Sequence, residues 1–336
     1  MITSDTLRPP FFIDHTAPAY KDWFHLNFAD ATSDTSGLIN VSLHGSPWDD
    51  RSRAMGTVLL HSPEFGWTSH VEILAYSEAN LGASSIGLRD VALAIDQRNG
   101  TIHASVAGAS SRFRSRLLAE PISAPLEVGQ KTPLGSGWIS WYLAPRMRIS
   151  GEWEIAGHPA ACKNLAGYHD HNWGRWHWGD DFGWEWGCFL ADPQHLEAPS
   201  FVFTRTCDRR HQRYGEPFLL ADLGSTRKQY GADNIAIRLA GQFRGVLHRV
   251  PGAMAALHQE MAQPDIPAGL ELVARRGTDR VHITFEGHAA AQFITADTVV
   301  RGYGFIHEIV GKYSSFGCIG GKNFETKGYA VLEYVI

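Results

Sequence analysis

The sequence lacks the features that mark several large functional classes. Its 35 acidic residues outnumber the 30 basic ones, so it has no basic excess of the kind that a nucleic-acid-binding protein shows. No uncharged run of about 18 apolar residues is present, which excludes a bilayer-spanning helix. A Gly-x-Ser-x-Gly motif is also missing, and with it the usual nucleophile of α/β-hydrolases. We therefore expect neither a nucleic-acid partner nor stable membrane insertion.

Cysteine is scarce as well. The chain has only four cysteines in 336 residues, their spacing is irregular and no Cys-x-x-Cys pair occurs. This pattern argues against a disulfide scaffold and against a structural zinc site. The first 20 residues lack a basic segment followed by an apolar core, so they do not predict a secretory signal. The sequence therefore predicts a cytoplasmic protein.

Short alternating runs of apolar residues, broken by turn residues, dominate the chain. The run Val91–Ile95 is followed by Asn99–Gly100 and a second alternating run, which is the strongest local signal for a β-hairpin. Similar alternation recurs at Ile235–Leu239 and Val281–Phe285. Apolar residues at helical spacing occur only at Ala253–Gln263. The pattern predicts an all-β protein, a sandwich or barrel, with few short helices.

Several landmarks of the sequence recur in the same order at an offset of 160 or 161 residues. The matched pairs are Trp23 with Trp184, Ile149–Trp153 with Ile309–Tyr313, Gly157 with Gly317, and Gly167–Tyr168 with Gly328–Tyr329. Single matches of this kind are common by chance, but an ordered series is not. The sequence predicts two copies of one β-domain, residues 1–180 and 181–336.

Polar and aromatic residues concentrate where the first copy ends. Gly167–Gly174 reads Gly-Tyr-His-Asp-His-Asn-Trp-Gly, and five of the 11 tryptophans lie between residues 173 and 186. Alternate side chains of a strand point to opposite faces. One face is predicted to carry Tyr168, Asp170 and Asn172, and the other His169, His171 and Trp173. The matching strand Tyr329–Glu333 has no such polar load, so we expect chemistry in the first copy alone.

Three interpretations of this cluster remain open. The pair His169 and His171 has the His-x-His spacing of metal ligands, although Arg175 stands where a cupin-like site needs a carboxylate. A second interpretation is a structural seam of tryptophan and histidine between the two domains. The third is an acid site in an aromatic pocket. Burial among tryptophans favours the neutral form of a carboxyl group such as Asp170, and aromatic faces stabilise a carbocation.

The motif Gly-Tyr-x-Asp-x-Asn-Trp-Gly, preceded by Pro145–Gly151, resembles the carotenoid 1,2-hydratase (hydroxyneurosporene synthase) group. Its wider superfamily includes the AttH-like proteins and lipocalin-like Diels-Alder cyclases. The resemblance implies two tandem lipocalin-like (calycin) antiparallel β-barrel domains. It also implies that Tyr168 and Asp170 match the Tyr-x-Asp pair of the hydratases. Their upstream His-x-Trp is matched only at Trp141, because Ile139 stands in the place of the histidine.

We predict a cofactor-independent, metal-free hydratase or cyclase that acts by acid catalysis on a hydrophobic isoprenoid- or polyketide-type polyene of secondary metabolism. The predicted catalytic residues are Asp170 as the acid, with Tyr168 and Asn172. The predicted substrate-binding residues are Trp141, Trp173, His169, His171, Trp184, Trp186 and Glu185. A Diels-Alder-type pericyclic cyclase and a non-catalytic carrier of a hydrophobic small molecule are the alternatives, and a homodimer is one option for assembly. For Glu185 a salt bridge is the competing interpretation, and Lys21–Asp22 is expected to be solvated surface.

Overall fold

The computed structural model describes residues 5–8, 20–46, 49–108, 112–250, 265–296 and 302–336. Strands form most of this part of the chain, which divides into two compact units. One comprises the described residues up to Asp180 together with Gly302, and the other those of Asp181–Ala296 and Tyr303–Ile336. The first unit contains β1 (Tyr20–Asp30), β2 (Thr35–His44), β3 (Arg53–Ser62), β4 (Gly66–Ala75), β5 (Asn80–Gly82), β6 (Ser85–Gly87), β7 (Val91–Asp96), β8 (Thr101–Val106), β9 (Phe113–Pro121), β10 (Leu126–Leu134), β11 (Gly137–Ile155) and β12 (His158–Arg175). The second contains β13 (Gly183–Leu190), β14 (Ser200–Cys207), β15 (Phe218–Asp222), β16 (Arg227–Gly231), β17 (Ile235–Ala240), β18 (Leu247–Val250), β19 (Gly269–Arg276), β20 (Asp279–Ala296), β21 (Tyr303–Ile319) and β22 (Lys322–Val335).

Helical structure in the described residues consists of two 3₁₀ turns, Tyr76–Glu78 and Ala232–Asn234. The helix predicted at Ala253–Gln263 lies outside the described residues. Within the same described part of the chain, no helix has the length and apolar character needed to cross a membrane.

The strands of the first unit form one antiparallel sheet in the order β4-β3-β2-β1-β12-β11-β9-β8-β7-β6-β5, with β10 paired to β11. The sheet curls, so that β2 and β3 pack against β6 and β7. Its interior is filled by one apolar cluster that includes Phe24, Val41, Leu93, Leu117 and Ile149. The first strand of the unit pairs with the last, which places β1 and β12 together at the centre of the sheet.

The second unit repeats this arrangement in the order β16-β15-β14-β13-β22-β21-β20-β19-β17. Its first strand, β13, again pairs with its last, β22, and its core includes Phe189, Phe203, Ile283 and Leu332. The one parallel contact in the described residues joins β18 to β20.

The predicted hairpin at Asn99–Gly100 is confirmed, because β7 and β8 pair antiparallel with Asp96 opposite Thr101. Burial alternates along β7, as expected for a strand with one solvated face. The predicted runs at Ile235–Leu239 and Val281–Phe285 also lie in strands, β17 and β20.

The central strands are buried on both faces. All eight residues of β13 are buried, and in β1 only two of 11 are partly exposed. Chemical groups on either face of these strands are therefore removed from water.

Two glycines explain part of the sequence repeat. A Cβ at Gly151 would lie 2.0 Å from the Arg116 carbonyl oxygen of β9, and one at Gly311 would lie 2.0 Å from the Glu286 carbonyl oxygen of β20. Both positions need glycine because a neighbouring backbone passes so closely. The match of Gly157 with Gly317 is wrong, since Gly157 lies in the turn between β11 and β12 whereas Gly317 lies within β21.

Candidate functional site

Strand β12 presents the side chains of the motif to two different environments. His171 lies opposite Phe24 of β1, a core residue, so its side chain points to the interior of the curled sheet. The interior face carries His169, His171 and Trp173, and the outer face Tyr168, Asp170 and Asn172. The two-residue side-chain period of a β-strand predicts this division of the motif between two faces.

On the outer face, three donors converge on the carboxyl group of Asp170, which is 5% exposed. The Tyr168 hydroxyl donates to Oδ2 at 2.8 Å, and Nε1 of Trp141 donates to the same oxygen at 3.2 Å. The amide of Asn172 donates to Oδ1 at 2.8 Å. The structure therefore brings together four of the predicted site residues, three of them on β12 and one on β11.

The hydrogen bonds from Tyr168, Trp141 and Asn172 fix the orientation of the Asp170 carboxyl group. A neutral carboxylic acid has one O–H donor and keeps acceptor capacity on both of its oxygens, so the acid form can also accept hydrogen bonds from these donors.

Strands β1 and β11, which flank β12, contribute further side chains to the outer face around Asp170. In the strand register Asp170 lies opposite His25 of β1, and Asn172 lies between Trp23 of β1 and Trp141 of β11. The two indoles are half-buried. We call this outer-face group the Asp170 patch, defined as Tyr168, Asp170, Asn172, Trp141, Trp23 and His25.

On the interior face, two histidines and two aspartates form a buried ion cluster. His171 lies with Nδ1 2.6 Å from Oδ1 of Asp5 and with Nε2 2.8 Å from Oδ1 of Asp22. His169 lies with Nε2 2.9 Å from Oδ2 of Asp5 and with Nδ1 2.9 Å from the His25 carbonyl oxygen. All four side chains are buried. The cluster binds the segment 5–8 to β1 and β12.

Electrostatic interactions within this cluster favour the protonated form of His171 and the ionised form of Asp5. Burial alone lowers the pKa of His171, but the charges and hydrogen bonds of Asp22 and Asp5 outweigh it and raise the pKa to about 9. Burial opposes ionisation of Asp5, yet His169 and His171 hold the pKa of Asp5 well below its usual range. Every ring nitrogen of the two histidines faces an acceptor oxygen of the protein. Both rings therefore already have a protein partner at each nitrogen.

His169 and His171, predicted to bind substrate, thus lie on the face opposite Asp170 and bind Asp5 and Asp22 instead. Trp173 shares this interior face. It packs with Tyr20 and Tyr142, and the Arg8 guanidinium lies 4.1 Å from its ring centre. The structure does not bring these three predicted residues to the Asp170 patch.

The prediction of solvated surface at Lys21–Asp22 is wrong. Lys21 is 1% exposed and Asp22 is fully buried. Nζ of Lys21 donates to the Trp176 carbonyl oxygen at 2.5 Å and lies 4.8 Å from the Trp176 ring centre. Asp22 also accepts from the Tyr20 hydroxyl at 3.0 Å. The fold thus supplies hydrogen-bonding partners for both side chains.

Glu185, in the second unit, is fully buried and paired with Arg205. Nε and Nη2 of Arg205 lie 2.6 and 3.1 Å from its two carboxylate oxygens, and Nδ1 of His211 lies 3.1 Å from Oε1. A bidentate pair of this kind corresponds to the salt bridge that was the competing interpretation of Glu185.

The same cluster includes a cysteine. Sγ of Cys207 lies 3.4 Å from Nδ1 of His211, which resembles a nucleophile–base pair. Burial and the nearby Glu185 charge raise the pKa of Cys207 to about 12, so the thiol is not a nucleophile near neutral pH.

Trp184 and Trp186 lie beside a pair of carboxyl groups that the sequence did not indicate. Glu333 of β22 is opposite Glu308 of β21 on one side and Trp186 of β13 on the other, and Trp184 Nε1 donates to its carboxyl group. Burial raises the pKa of Glu333. Glu308 is buried and Glu333 is half-buried, and two carboxyl groups in contact do not readily ionise together. Glu333 is the charged residue at the end of strand Tyr329–Glu333, which otherwise lacks the polar load of the Gly167–Gly174 motif.

One group of surface residues has the composition of a metal site. Ligand atoms of His70, Glu72 and Asp90 lie within 4.8 Å of one another. The two carboxylate oxygens of Glu72 already accept backbone N–H groups, from Arg89 at 3.0 Å and from Asp90 at 2.9 Å. These bonds give Glu72 a structural role, because they hold the turn that precedes β7.

Comparison with known proteins gives a match in structure but not in sequence. No family model matches the chain, and no curated protein sequence does. An AttH-like protein from Nitrosomonas europaea matches with a TM-score of 0.66 and 12% identity, over 97% of this chain and 96% of its own. CghA, solved with Sch210972, has a TM-score of 0.65 and 11% identity, over 99% and 96% of the two chains.

Kievitone hydratase from Nectria haematococca matches with a TM-score of 0.61 and 10% identity, over 94% of this chain and 88% of its own. Similarity at this level of identity establishes the fold. The chain therefore has the all-β, tandem lipocalin-like fold of these proteins, which is the fold implied by the sequence resemblance.

Proposed function

We propose that this protein is a cofactor-independent hydratase or cyclase in which Asp170 acts as the acid, with Tyr168 and Asn172 as its partners. The proposal rests on the three donors that orient the buried Asp170 carboxyl group. We also propose that residues 1–180 and 181–336 form two domains and that the protein is cytoplasmic.

The reaction begins with proton transfer from the Asp170 carboxyl group to one carbon of a substrate double bond. The second carbon becomes cationic, and the indole faces of Trp141 and Trp23 stabilise this charge. In hydration, water adds to the cation and loses a proton, which returns to the Asp170 carboxylate. In cyclisation, a second double bond of the substrate attacks the cation, which forms the ring bond and a new cation. The Asp170 carboxylate then removes a proton from this new cation to give the product.

The substrate class follows from the surroundings of the acid. Two half-buried indoles beside a strip of hydroxyl, carboxyl and amide groups suit a flat, unsaturated, hydrophobic molecule, so we propose an isoprenoid- or polyketide-type polyene. The structural neighbours support the hydratase side of this proposal, since they include kievitone hydratase.

The test is a mass-spectrometric comparison in heavy-oxygen water. Wild-type and Asp170→Asn proteins are incubated with an organic extract of the native host. We expect a product that contains heavy oxygen, or a new isomer, with the wild type alone, because an amide cannot donate the acid proton. Glu152→Gln, which changes an exposed carboxylate on β11, is the matched control and should retain activity.

The two kinds of product distinguish the two reactions. Incorporated heavy oxygen indicates hydration, and an isomer of unchanged mass indicates cyclisation. Turnover by Asp170→Asn at the wild-type rate contradicts acid catalysis by this residue. A compound that is retained unchanged by both proteins indicates a carrier instead of an enzyme.

A further inference from the structure

Three basic side chains lie in one row across strands β1, β2 and β3, next to the Asp170 patch. Lys21 of β1 is the register partner of His44 of β2, and His44 is the register partner of Arg53 of β3. Side chains of directly opposed residues lie on the same face of an antiparallel sheet, with Cβ atoms about 5 Å apart. Lys21 precedes Trp23 of the patch by two residues, so the three side chains belong to the outer face. We call them the basic row.

The basic row carries positive charge that its own members feel. Lys21 is buried against Trp176, and burial together with the Lys21 charge lowers the pKa of His44 to about 4. The His44 ring is therefore neutral near pH 7. A negatively charged group beside His44 is attracted by the Lys21 charge, even though Lys21 itself does not touch it.

Arg53 has only part of its guanidinium group engaged. Nη1 donates to the backbone carbonyl oxygens of Asp50 and Ser52, at 2.8 Å each. In the part of the chain that the structure describes, Nε and Nη2 of Arg53 make no hydrogen bond, and no carboxylate lies within salt-bridge distance of them. The side chain is half-buried. The two carbonyl contacts thus orient the guanidinium group and leave one pair of donors without a partner among the described residues.

This pair of donors is the one that binds carboxylates elsewhere in the protein. Nε and Nη2 of Arg205 hold Glu185, and the same two atoms of Arg51 lie 2.9 and 2.7 Å from the carboxylate oxygens of Asp49. Two parallel N–H groups match the spacing of two oxygens on one carboxylate or phosphate group. Arg53 therefore presents the donors that such a group needs.

His44 provides a second polar contact beside Arg53. Its Nε2 lies 3.0 Å from the hydroxyl oxygen of Ser42, which is the register partner of Trp23. When the Ser42 hydroxyl donates to Nε2, the ring proton resides on Nδ1, which can donate to an anionic oxygen. His44 is half-buried, as is Arg53. A neutral imidazole and a guanidinium group are thus adjacent on one sheet face.

The distance from the basic row to the acid sets the length of a molecule that reaches both. Two strand spacings and four residues separate His44 from Asp170 in the register of β12, β1 and β2. With about 4.8 Å between strands and about 3.4 Å per residue, their Cα atoms are roughly 17 Å apart. The half-buried indole of Trp23 lies between them on the outer face. An extended sesquiterpenoid chain has a comparable length.

We propose that Arg53 and His44 bind an anionic head group, a carboxylate or a phosphate, at one end of the substrate, while Asp170 acts on a double bond toward the other end. The substrate is then a polyene acid or polyene phosphate. This inference rests on the proposed function of the Asp170 patch, whose substrate class it narrows. The head group undergoes no covalent change, because the acid proton still passes from Asp170 to the double bond.

The experiment uses three probes that share one hydrocarbon chain and differ in the head group: farnesol, farnesoic acid and farnesyl phosphate. Equilibrium dialysis with mass-spectrometric detection measures the affinity of the wild-type protein for each. We expect at least one anionic probe to bind about tenfold more tightly than farnesol, the value of one charge-assisted hydrogen bond. The tighter of the two identifies the head group. Equal affinity for the three probes, or no binding of an anionic probe, contradicts the proposal.

Substitutions of Arg53 separate head-group binding from a structural role. We expect Arg53→Gln to weaken binding of the anionic probe about tenfold and to leave the affinity for farnesol unchanged, and Arg53→Lys, which keeps the charge without the paired donors, to lie between. A purely structural role would weaken binding of all three probes equally, and this result, or an undiminished preference in Arg53→Gln, would contradict the proposal. Arg116→Gln, at a side chain of β9 that is 85% exposed, is the control and should match the wild type.

The outcome is separable from the test of Asp170. Turnover by Asp170→Asn contradicts acid catalysis but leaves the head-group preference of the wild-type protein unchanged. Equal binding of the three probes contradicts the role of the basic row but does not affect the product analysis of Asp170→Asn.

Discussion

Nε2 of His171 lies 2.8 Å from Oδ1 of Asp22, although 149 positions separate the two residues in the chain. Nδ1 of the same ring lies 2.6 Å from Oδ1 of Asp5. One buried imidazolium thus bridges two buried carboxylates, and it connects the segment 5–8 to the two central strands of the first unit.

Removal of this bridge should destabilise the protein. Loss of one partner from a buried ion pair leaves the remaining charges uncompensated and costs about 3 to 5 kcal/mol. We expect His171→Gln to lower the free energy of unfolding by about this amount, as measured by urea denaturation. His103→Gln, at an exposed position, should change it by less than about 0.5 kcal/mol. A His171→Gln protein as stable as the wild type would show that the bridge makes no net contribution.

The same bridge predicts a loss of stability at alkaline pH. The pKa of His171 is about 9 in the folded protein against an ordinary value of 6.5, so the folded state binds more protons between these values. Its contribution is complete below pH 6.5 and is lost as the pH rises through 9, by about 3 kcal/mol in total. Urea denaturation at pH 6.5, 8 and 9.5 should show this decline, and His171→Gln should abolish it. An unchanged decline in that variant would assign it to other groups.

Three other histidines predict a loss of stability at mildly acidic pH. Burial lowers the pKa of His25, His44 and His307 to about 4. Between pH 6.5 and 4 the unfolded chain binds protons at these positions and the folded chain does not, so stability falls as the pH decreases. We expect the free energy of unfolding to be highest near pH 6.5. His307→Gln should reduce the slope on the acidic side, and an identical slope in this variant would contradict the assignment.

Two glutamates of the second unit, the fully buried Glu185 and the half-buried Glu333, should respond in opposite ways to loss of charge. Glu185→Gln leaves Arg205 without its carboxylate, and we expect a cost of about 3 kcal/mol or more. Glu333→Gln removes a carboxyl group whose ionisation burial already opposes, so we expect stability at pH 7 to be unchanged or higher. Thermal unfolding of the two variants at equal concentration tests this contrast. A larger loss from Glu333→Gln than from Glu185→Gln would contradict it.

In the Asp170 patch, Tyr168→Phe tests the role of a single donor. The change removes the hydroxyl that donates to Oδ2 of Asp170 but preserves the ring and its packing. We expect a decrease in kcat of about tenfold, the value of one strong hydrogen bond to the acid, with little change in KM. A rise in KM at constant kcat would instead assign Tyr168 to substrate binding.

The division of β12 into two faces was predictable from sequence because the side-chain period of a strand is two, whatever the strand packs against. The same local rule identified the β7–β8 hairpin. It grouped Tyr168, Asp170 and Asn172 correctly on one face, and the structure adds the hydrogen bonds that join them.

Burial of β1 was not predictable in this way. Lys21–Asp22 has the composition of a surface segment, but β1 pairs with β12 at the centre of the sheet and is buried on both faces. Partners for these charges come from Trp176, from His171 and from the hydroxyl of Tyr20. No local pattern indicates that Trp176 and His171 are partners of Lys21 and Asp22. These residues are close only because the first strand of the unit pairs with the last.

The sequence by itself determined the all-β architecture, the repeat and the residues of the central motif, since these follow from local periodicity and spacing. Only the tertiary structure decided that His169 and His171 bind Asp5 and Asp22 and that His25 lies beside Asp170. The physical reason is that strand register over nearly 150 residues is set by the packing of whole sheets, which no short segment of sequence encodes.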